Sequence, residues 1–226
     1  MLWREGVNLI GISTEYPIKE IPEESIFYRI RKNLSSPESE EQYDSAPDSC
    51  LGQNRLDSTG LPILYASQNL ELCVHECRVT MADNTYVATL QPTRSLKFLD
   101  LTHILHENVG EFESLDIAIH MLFSAPEHSY DICREIAKAA HIHGYDGLIY
   151  PSYFSTLGTG STPFPTLLGF SIRQFEELKD YARAQVIENI AIFGRPLRDG
   201  KIIVRSINRV VLNKVEYDLR FGPVQI

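Results

Sequence analysis

The sequence is short of basic residues, of cysteine and of long apolar runs. Its 226 residues carry 21 Lys and Arg against 30 Asp and Glu, a formal charge of −9. Because phosphate backbones and anionic lipids are bound by clustered Lys and Arg, this balance argues against direct nucleic-acid binding and against a membrane-surface protein. The four cysteines lack the spacing of a secreted disulfide framework, which predicts reduced thiols and a cytoplasmic location.

Other absences exclude whole classes of protein. No stretch approaches the roughly 18 apolar residues of a membrane helix, and Arg4 and Glu5 interrupt the first apolar run, so no secretory leader is expected. No Gly-x-Gly-x-x-Gly fingerprint and no Gly-x-Ser-x-Gly elbow is present, which argues against a dinucleotide-binding βαβ unit and an α/β-hydrolase. With 43% hydrophobic residues, the chain is expected to fold as a single domain over residues 1–226.

Short strand-like and helical stretches alternate irregularly, which predicts an α+β fold of small mixed sheets with flanking helices. Ser67 or Asn69 suits the start of the first helix, and Gly144 suits the end of the third. Strands are expected at residues 26–31, 62–67, 85–90, 96–101, 147–150, 167–172, 202–212 and 215–221. Helices are expected at residues 69–82, 114–124, 129–143 and 173–185.

Residues 33–54 form an acidic, serine-rich segment. They contain five acidic residues, five serines and no Lys or Arg, and their apolar residues follow no period. This composition predicts a solvated loop. It is either a plain surface loop or a lid beside a binding site.

Metal binding is the weaker interpretation of the cysteine and histidine pairs. Cys73 and Cys77 share a helical face and flank His75, but a structural zinc site needs four ligands, and no second pair has matching spacing. We expect both thiols to pack as small core residues. The other histidine pairs lack a third ligand, so no metal site is expected.

Three segments are harder to explain by packing alone. In the first, Arg29 and Arg31 project to one face of a strand, where two cations repel unless an anion lies between them; an exposed edge strand is the alternative. The second runs from Arg55 to Ser67 and precedes a helix in which Glu76 is expected on the buried side, three residues after Cys73. In the third, residues 144–152, a helix end leads through a short strand to a serine.

In this order and spacing the segments resemble the RES family, named for an Arg, a Glu and a Ser. The pattern is an early Tyr-Arg, then Arg-apolar-Asn-x-x-Gly-x-Pro-x-x-Tyr-x-Ser, a helix with an acidic residue, and Gly-x-Asp-Gly-apolar-x-x-x-Ser. The match covers residues 25–172, which would form the catalytic core. Residues 173–226 have no counterpart and are expected to form a C-terminal extension of unknown role.

The resemblance implies an ADP-ribosyltransferase-like fold and a cytoplasmic enzyme that destroys NAD by cleaving the nicotinamide–ribose bond. It implies an NAD phosphorylase or glycohydrolase, with no cofactor, NAD as substrate and phosphate as a possible co-substrate. It also implies a toxin paired with a helix-turn-helix antitoxin; a homodimer is a further possible partner. Phage defence and an injected effector stay open as biological roles. The carried-over residues are Glu76, Arg29 and Ser152 as catalytic groups, and Arg31, Arg55 and Tyr65 as substrate-binding groups.

The chemistry needs these residue types. Cleavage of the nicotinamide–ribose bond passes through an oxocarbenium-like state, which a fixed carboxylate stabilises. Arginine matches the oxygens of a pyrophosphate, and a tyrosine ring stacks on a flat base. Asp57 and Thr166 depart from the family pattern, which has Asn at both positions. These departures keep two alternatives open, an ADP-ribosyltransferase that modifies a macromolecule and a non-catalytic NAD-binding module.

Overall fold

The computed structural model describes residue 12 and residues 15–105, 114–154, 166–167, 170–171, 175–178, 181 and 186–215. The strands are β1 (Ile18–Ile21), β2 (Phe27–Lys32), β3 (Ile63–Ala66), β4 (Thr85–Pro92), β5 (Leu96–Asp100), β6 (Gly147–Pro151), β7 (Thr166–Leu167), β8 (Phe170–Ser171), β9 (Glu188–Phe193) and β10 (Ile202–Val210). The α-helices are α1 (Leu70–Glu76), α2 (Leu115–Ser124) and α3 (Tyr130–Ile142). The predicted α+β class is confirmed.

Two larger sheets organise the described residues, beside the two-stranded sheet of β7 and β8. The first has five strands in the order β1-β5-β6-β9-β3, with β5 and β6 parallel and the other neighbours antiparallel. The second has three antiparallel strands in the order β10-β4-β2. A backbone bridge between Tyr28 and Ser67 joins the end of β3 to β2, so the two sheets meet where the predicted site segments run.

The five-stranded sheet separates two hydrophobic cores. Leu148 and Tyr150 face α2 and α3 in one core, while Phe98 and Ile149 face the three-stranded sheet in the other. Gly147 lies where β6 enters this sheet, and a Cβ there would overlap the Ala191 carbonyl oxygen and the Phe98 ring. The strands therefore pack too closely at this point for any side chain.

The helix ends follow local chemistry. The Asn69 side chain accepts the N–H of Leu72 at 3.0 Å and caps α1, and Ser114 caps α2 in the same way. Gly144 ends α3 with a φ of 82°, as predicted for that glycine. Helix α1 is shorter than the predicted 69–82, because the chain leaves the helix at Cys77 and Arg78 adopts a φ of 46°.

The acidic segment is mostly exposed or half-buried, as its composition predicted, but the protein anchors it at residues 43–45. It contains 3₁₀ turns at Glu40–Tyr43 and Asp48–Cys50, and the Tyr43 ring is fully buried in the second core. Basic side chains from distant parts of the chain hold it. Arg29 donates to the Asp44 carbonyl, and Arg195 donates to the carbonyls of Ser45 and Ala46.

Other differences concern the second half of the chain. The strand expected at 167–172 is instead the hairpin of β7 and β8. The helix expected at 173–185 lies mostly outside the described residues, which show a 3₁₀ turn at Glu176–Leu178, and most of 215–221 also lies outside them. The expected C-terminal extension supplies β9 to the five-stranded sheet and β10 to the three-stranded one. None of the described helices combines the length and apolar character needed to span a bilayer.

Candidate active site

Glu76 is the last residue of α1. Its carboxylate is held by two side chains, one that directly follows β6 and one on β9. Ser152 Oγ donates to Glu76 Oε1 at 2.6 Å, and Asn189 Nδ2 donates to the same oxygen at 2.5 Å. Both donors are buried. Glu76 Oε2 accepts no hydrogen bond from the described residues, so one carboxylate oxygen is fixed and the other is open to a ligand.

The expectation that Glu76 lies on the buried side of the helix is wrong, because the residue is exposed. Three residues on a helix turn the side chain by about 300° from Cys73, which places Glu76 at the border of the buried stripe. At that border its carboxylate reaches the end of the five-stranded sheet. A site that must admit a substrate requires this partial exposure.

Sheet register explains why three polar groups converge on one side. Tyr150 and Asn189 are direct partners in the β6–β9 pair, so their side chains share a face. Ser152 follows Tyr150 by two residues and lies on that side too. Burial raises the pKa of Tyr150 well above its usual range, and the neighbouring Tyr65 phenol and Glu76 carboxylate act in the same direction.

Tyr65 anchors the loop that begins at Arg55. Its hydroxyl accepts the N–H groups of Leu56 and Asp57 at 3.0 and 3.2 Å and donates to Asp57 Oδ1 at 3.3 Å. Burial, followed by the Asp57 charge, raises the pKa of Tyr65 well above its usual range. The phenol therefore stays neutral and holds the loop against β3.

Asp57, where the family pattern has Asn, is only 1% exposed. Its two oxygens accept the N–H groups of Gly52 at 2.6 Å and Asn54 at 3.1 Å, in addition to the Tyr65 hydroxyl. Both oxygens face donors, so a carboxylate suits this position, whereas an amide would turn an NH₂ group toward one of them. The departure has a structural basis in this chain. Thr166, the other departure, lies in β7.

Arg55 is tied to α2 and the turn that follows it. Its guanidinium donates to the carbonyls of Leu122 and Ala125 at 3.1 and 2.9 Å and to Ser129 Oγ at 3.3 Å. The guanidinium carbon also lies 4.7 Å from the centre of the Tyr130 ring. All these partners are neutral groups of the protein itself, which gives Arg55 a structural role at the end of the helix.

Arg29 is buried without a carboxylate partner among the described residues. It donates to the Tyr65 carbonyl at 2.7 Å and to the Asp44 carbonyl at 2.9 Å, while its Nε has no partner among the described residues. Burial lowers the pKa of Arg29 to about 10, and the positive charge of Arg31 acts in the same direction. Even so, the guanidinium is charged at neutral pH, and it keeps the region between the two sheets electropositive.

Arg31 shares the face of Arg29, as predicted from the strand period. It is half-buried and makes no hydrogen bond or ion pair within the described residues. Burial raises the pKa of the Cys77 thiol, while the nearby charges of Arg29 and Arg31 lower it and that of Glu76 raises it. The two cations and the carboxylate therefore all lie within electrostatic reach of the same thiol.

Cys73 and Cys77 pack against β2, as expected for core residues. Their thiols donate to the carbonyls of Tyr28 and Ile30, and burial raises the pKa of Cys73 to about 12. Across the described ranges, no group of three His, Cys, Asp or Glu side chains is arranged to hold a metal ion.

An aromatic cluster borders the Glu76 carboxylate. The rings of His75 and Phe154 stack with centroids 5.8 Å apart, and Tyr153 meets Phe154 edge-on at 5.4 Å. Tyr153 is 60% exposed. His75 precedes Glu76 and Tyr153 follows Ser152 in sequence, and the Phe154 N–H donates to Ser152 Oγ, so this cluster lies next to the site.

Comparison with known proteins identifies the family of this chain. The RES domain model matches residues 26–161, more than half of the chain. The chain belongs to the RES domain family. A chain in the crystal structure of the M. tuberculosis MbcT–MbcA toxin–antitoxin complex matches with a TM-score of 0.51 and 12% identity, over 90% of this chain and 91% of that one. At this identity the likeness shows a shared fold. No curated protein sequence matches the chain.

The structure of this RES chain brings together only part of the predicted set. Glu76 and Ser152 are in direct contact, Tyr65 lies close enough to act on Tyr150 beside them, and Arg29 and Arg31 share a strand face. Arg55 donates to carbonyl groups at the end of α2, and its charge also acts on Tyr150, whose pKa it lowers. Sequence reasoning missed Asn189 and Tyr150. The alternation of β6 was a signal for Tyr150, since it stands two residues before Ser152, whereas no local pattern marks Asn189.

Proposed function

We propose that this RES protein is an NAD-degrading enzyme that cleaves the nicotinamide–ribose bond, as an NAD phosphorylase or glycohydrolase. The observation that carries the proposal is the Glu76 carboxylate, fixed through Oε1 by Ser152 and Asn189 and open at Oε2. Membership of the RES family supports an NAD-related activity of this kind.

Glu76 is the proposed catalytic residue. As the bond to nicotinamide breaks, positive charge develops on the ribose, and a carboxylate already oriented by two donors stabilises it without reorganising. Nicotinamide leaves as a neutral molecule from a cationic precursor, so no strong general acid is required. Ser152 and Asn189 act through Glu76 and are positioning residues in this scheme.

The pyrophosphate is proposed to bind toward Arg31. Its guanidinium is not used by the described residues, and the buried charge of Arg29 adds to the local positive potential. Arg55 uses three of its five N–H donors at the end of α2, so we assign it an indirect role through the loop that Tyr65 holds. Tyr65 and Tyr150 then form the floor of the pocket beside Glu76.

The openness of the site and the solved neighbour support the proposed acceptor and the proposed biological role. An exposed Glu76 admits phosphate or water to the ribose carbon. The structural neighbour comes from a toxin–antitoxin complex, which supports an antitoxin partner for this chain, with the helix-turn-helix type implied by the family.

Glu76→Gln is the direct test. We expect purified protein with that substitution to lose nearly all nicotinamide release while its thermal unfolding stays that of the wild type. Glu71→Gln is the matched control, because Glu71 is an exposed carboxylate in the first turn of the same helix. Mass spectrometry of the products with and without phosphate assigns the acceptor. Unchanged turnover in Glu76→Gln would exclude the proposed role.

Transfer of ADP-ribose to a macromolecule is the second candidate. The exposed aromatic cluster of His75 and Tyr153 favours it, because such a cluster beside Glu76 suits a bulky acceptor. Incubation with labelled NAD and a cell lysate separates the two candidates. Label on protein or nucleic acid supports transfer, and label found only in small molecules supports phosphorolysis or hydrolysis. Binding of NAD with no consumption would instead indicate a non-catalytic module.

A further inference from the structure

A cavity lies at one end of the five-stranded sheet, on the side away from α2 and α3. It has a volume of about 250 Å³ and is lined by Lys19, Asp100, Thr102, His103, Val186 and Glu188. Glu188 and Asn189 are consecutive on β9, so they face opposite sides of the sheet. The cavity is therefore separate from the Glu76 site and plays no part in the mechanism proposed above.

One carboxylate of this cavity already holds an ammonium group. Lys19 Nζ donates to both oxygens of Glu188, at 2.8 and 2.9 Å. This pair joins β1 to β9 across β5 and β6. It shows that the cavity wall accommodates a primary ammonium between strands.

The other carboxylate, Asp100, has no such partner among the described residues. Its Oδ1 accepts the N–H and the hydroxyl of Thr102, at 3.0 and 2.5 Å, and both donors are neutral. Asp100 is 9% exposed as a whole, and its Oδ2 accepts no hydrogen bond from the described residues and keeps some exposure in the cavity wall. A buried carboxylate normally has a cationic partner, because neutral donors compensate only part of the lost hydration.

The charge and size of the cavity then select the ligand. Two carboxylates and one ammonium line this space of about 250 Å³, and His103 is the remaining titratable group in its wall. No set of three metal-ligating side chains exists in the described residues. Val186 and the Lys19 stem supply apolar wall, and Thr102 supplies a hydroxyl.

We propose that this cavity binds small primary amines, with the ammonium held by Asp100 and a short polar tail toward Thr102 and His103. The ammonium reproduces at Asp100 the contact that Lys19 makes at Glu188. This inference does not depend on the proposed NAD chemistry, since the two sites face opposite sides of the sheet.

Calorimetric titration of the full chain with ethanolamine tests the proposal. We expect saturable binding with a dissociation constant of about 1–10 mM, with shifted amide resonances for Thr102 and Glu188 in a parallel NMR titration. Ethylene glycol lacks the charge and tetramethylammonium lacks the N–H donors, so neither is expected to bind at that site. Equal binding of either compound, or no binding of ethanolamine, would overturn the proposal.

Two substitutions are expected to act in opposite directions. Asp100→Asn keeps an acceptor for Thr102 but removes the charge, and should weaken ethanolamine binding about tenfold or more. Lys19→Met frees Glu188 for the ligand and should strengthen binding several-fold. Glu20→Gln is the control, because Glu20 is exposed and projects to the other side of β1. If Asp100→Asn does not fold, Lys19→Met still decides: unchanged or weaker binding there contradicts the assignment.

Discussion

Replacing Arg55 by methionine separates a structural arginine from a substrate-binding one. The substitution keeps the apolar stem and removes three hydrogen bonds, to Leu122, Ala125 and Ser129, together with the contact on the Tyr130 ring. A hydrogen bond from a charged donor contributes about 1.5–3 kcal/mol. Two of the three are longer than 3.0 Å and Arg55 is only half-buried, so we expect a total loss of about 3 kcal/mol in the free energy of unfolding.

Urea denaturation and thermal unfolding measure this loss. For a chain of this size, about 3 kcal/mol lowers the melting temperature by roughly 6–12 °C. Arg31→Met is the matched control, because Arg31 makes no hydrogen bond within the described residues and should change stability by less than about 0.5 kcal/mol. In NAD turnover the order should reverse, with Arg31→Met raising KM more than Arg55→Met. If Arg55→Met unfolds like the wild type and only raises KM, the structural assignment of Arg55 is refuted.

Two further predictions each concern one hydrogen-bonded carboxylate, first Glu76 and then Asp83. Asn189→Ala should lower kcat for NAD by about 10- to 100-fold with little change in KM. Its effect should be less than additive with that of Ser152→Ala, since both donors bind one oxygen; additive effects in the double variant would contradict a shared positioning role. Thr80 lowers the pKa of Asp83 from 3.8 to about 2, chiefly by a backbone hydrogen bond. The stabilisation is therefore present above the unfolded value and lost as the pH falls toward 2. Urea unfolding over that range should show a smaller loss for Asp83→Asn than for the wild type, and equal losses would refute it.

Sequence patterns predicted the helix boundaries that depend only on neighbouring residues. Asn69 and Gly144 mark helix boundaries through their own hydrogen-bonding and backbone properties. Asn69 lies where α1 begins, and Gly144 lies where α3 ends. The end of α1 was harder, because Cys77 and Met81 continue the helical period. Met81 is nevertheless 69% exposed, and the positive φ of Arg78 breaks the helix before it. A period alone does not show where packing stops.

Long-range partners account for what the sequence did not reveal. β9 is a short apolar run, and periodicity does not distinguish a fully buried strand from other apolar segments. Its Asn189 meets Glu76 across 113 positions of the chain. The acidic segment was interpreted by composition, yet Arg29 and Arg195 bind its carbonyls from 15 and about 150 residues away. Such pairings depend on topology rather than on neighbouring residues.

The central position of β9 has a consequence for synthesis. β6 and β3 are complete by residue 151, but they are joined only through β9, which spans residues 188–193. Until that stretch emerges from the ribosome, the sheet lacks the strand between them and the Glu76 carboxylate lacks Asn189. The carboxylate site is thus assembled late, after most of the chain has been made, and a growing polypeptide carries Glu76 without the geometry that orients it.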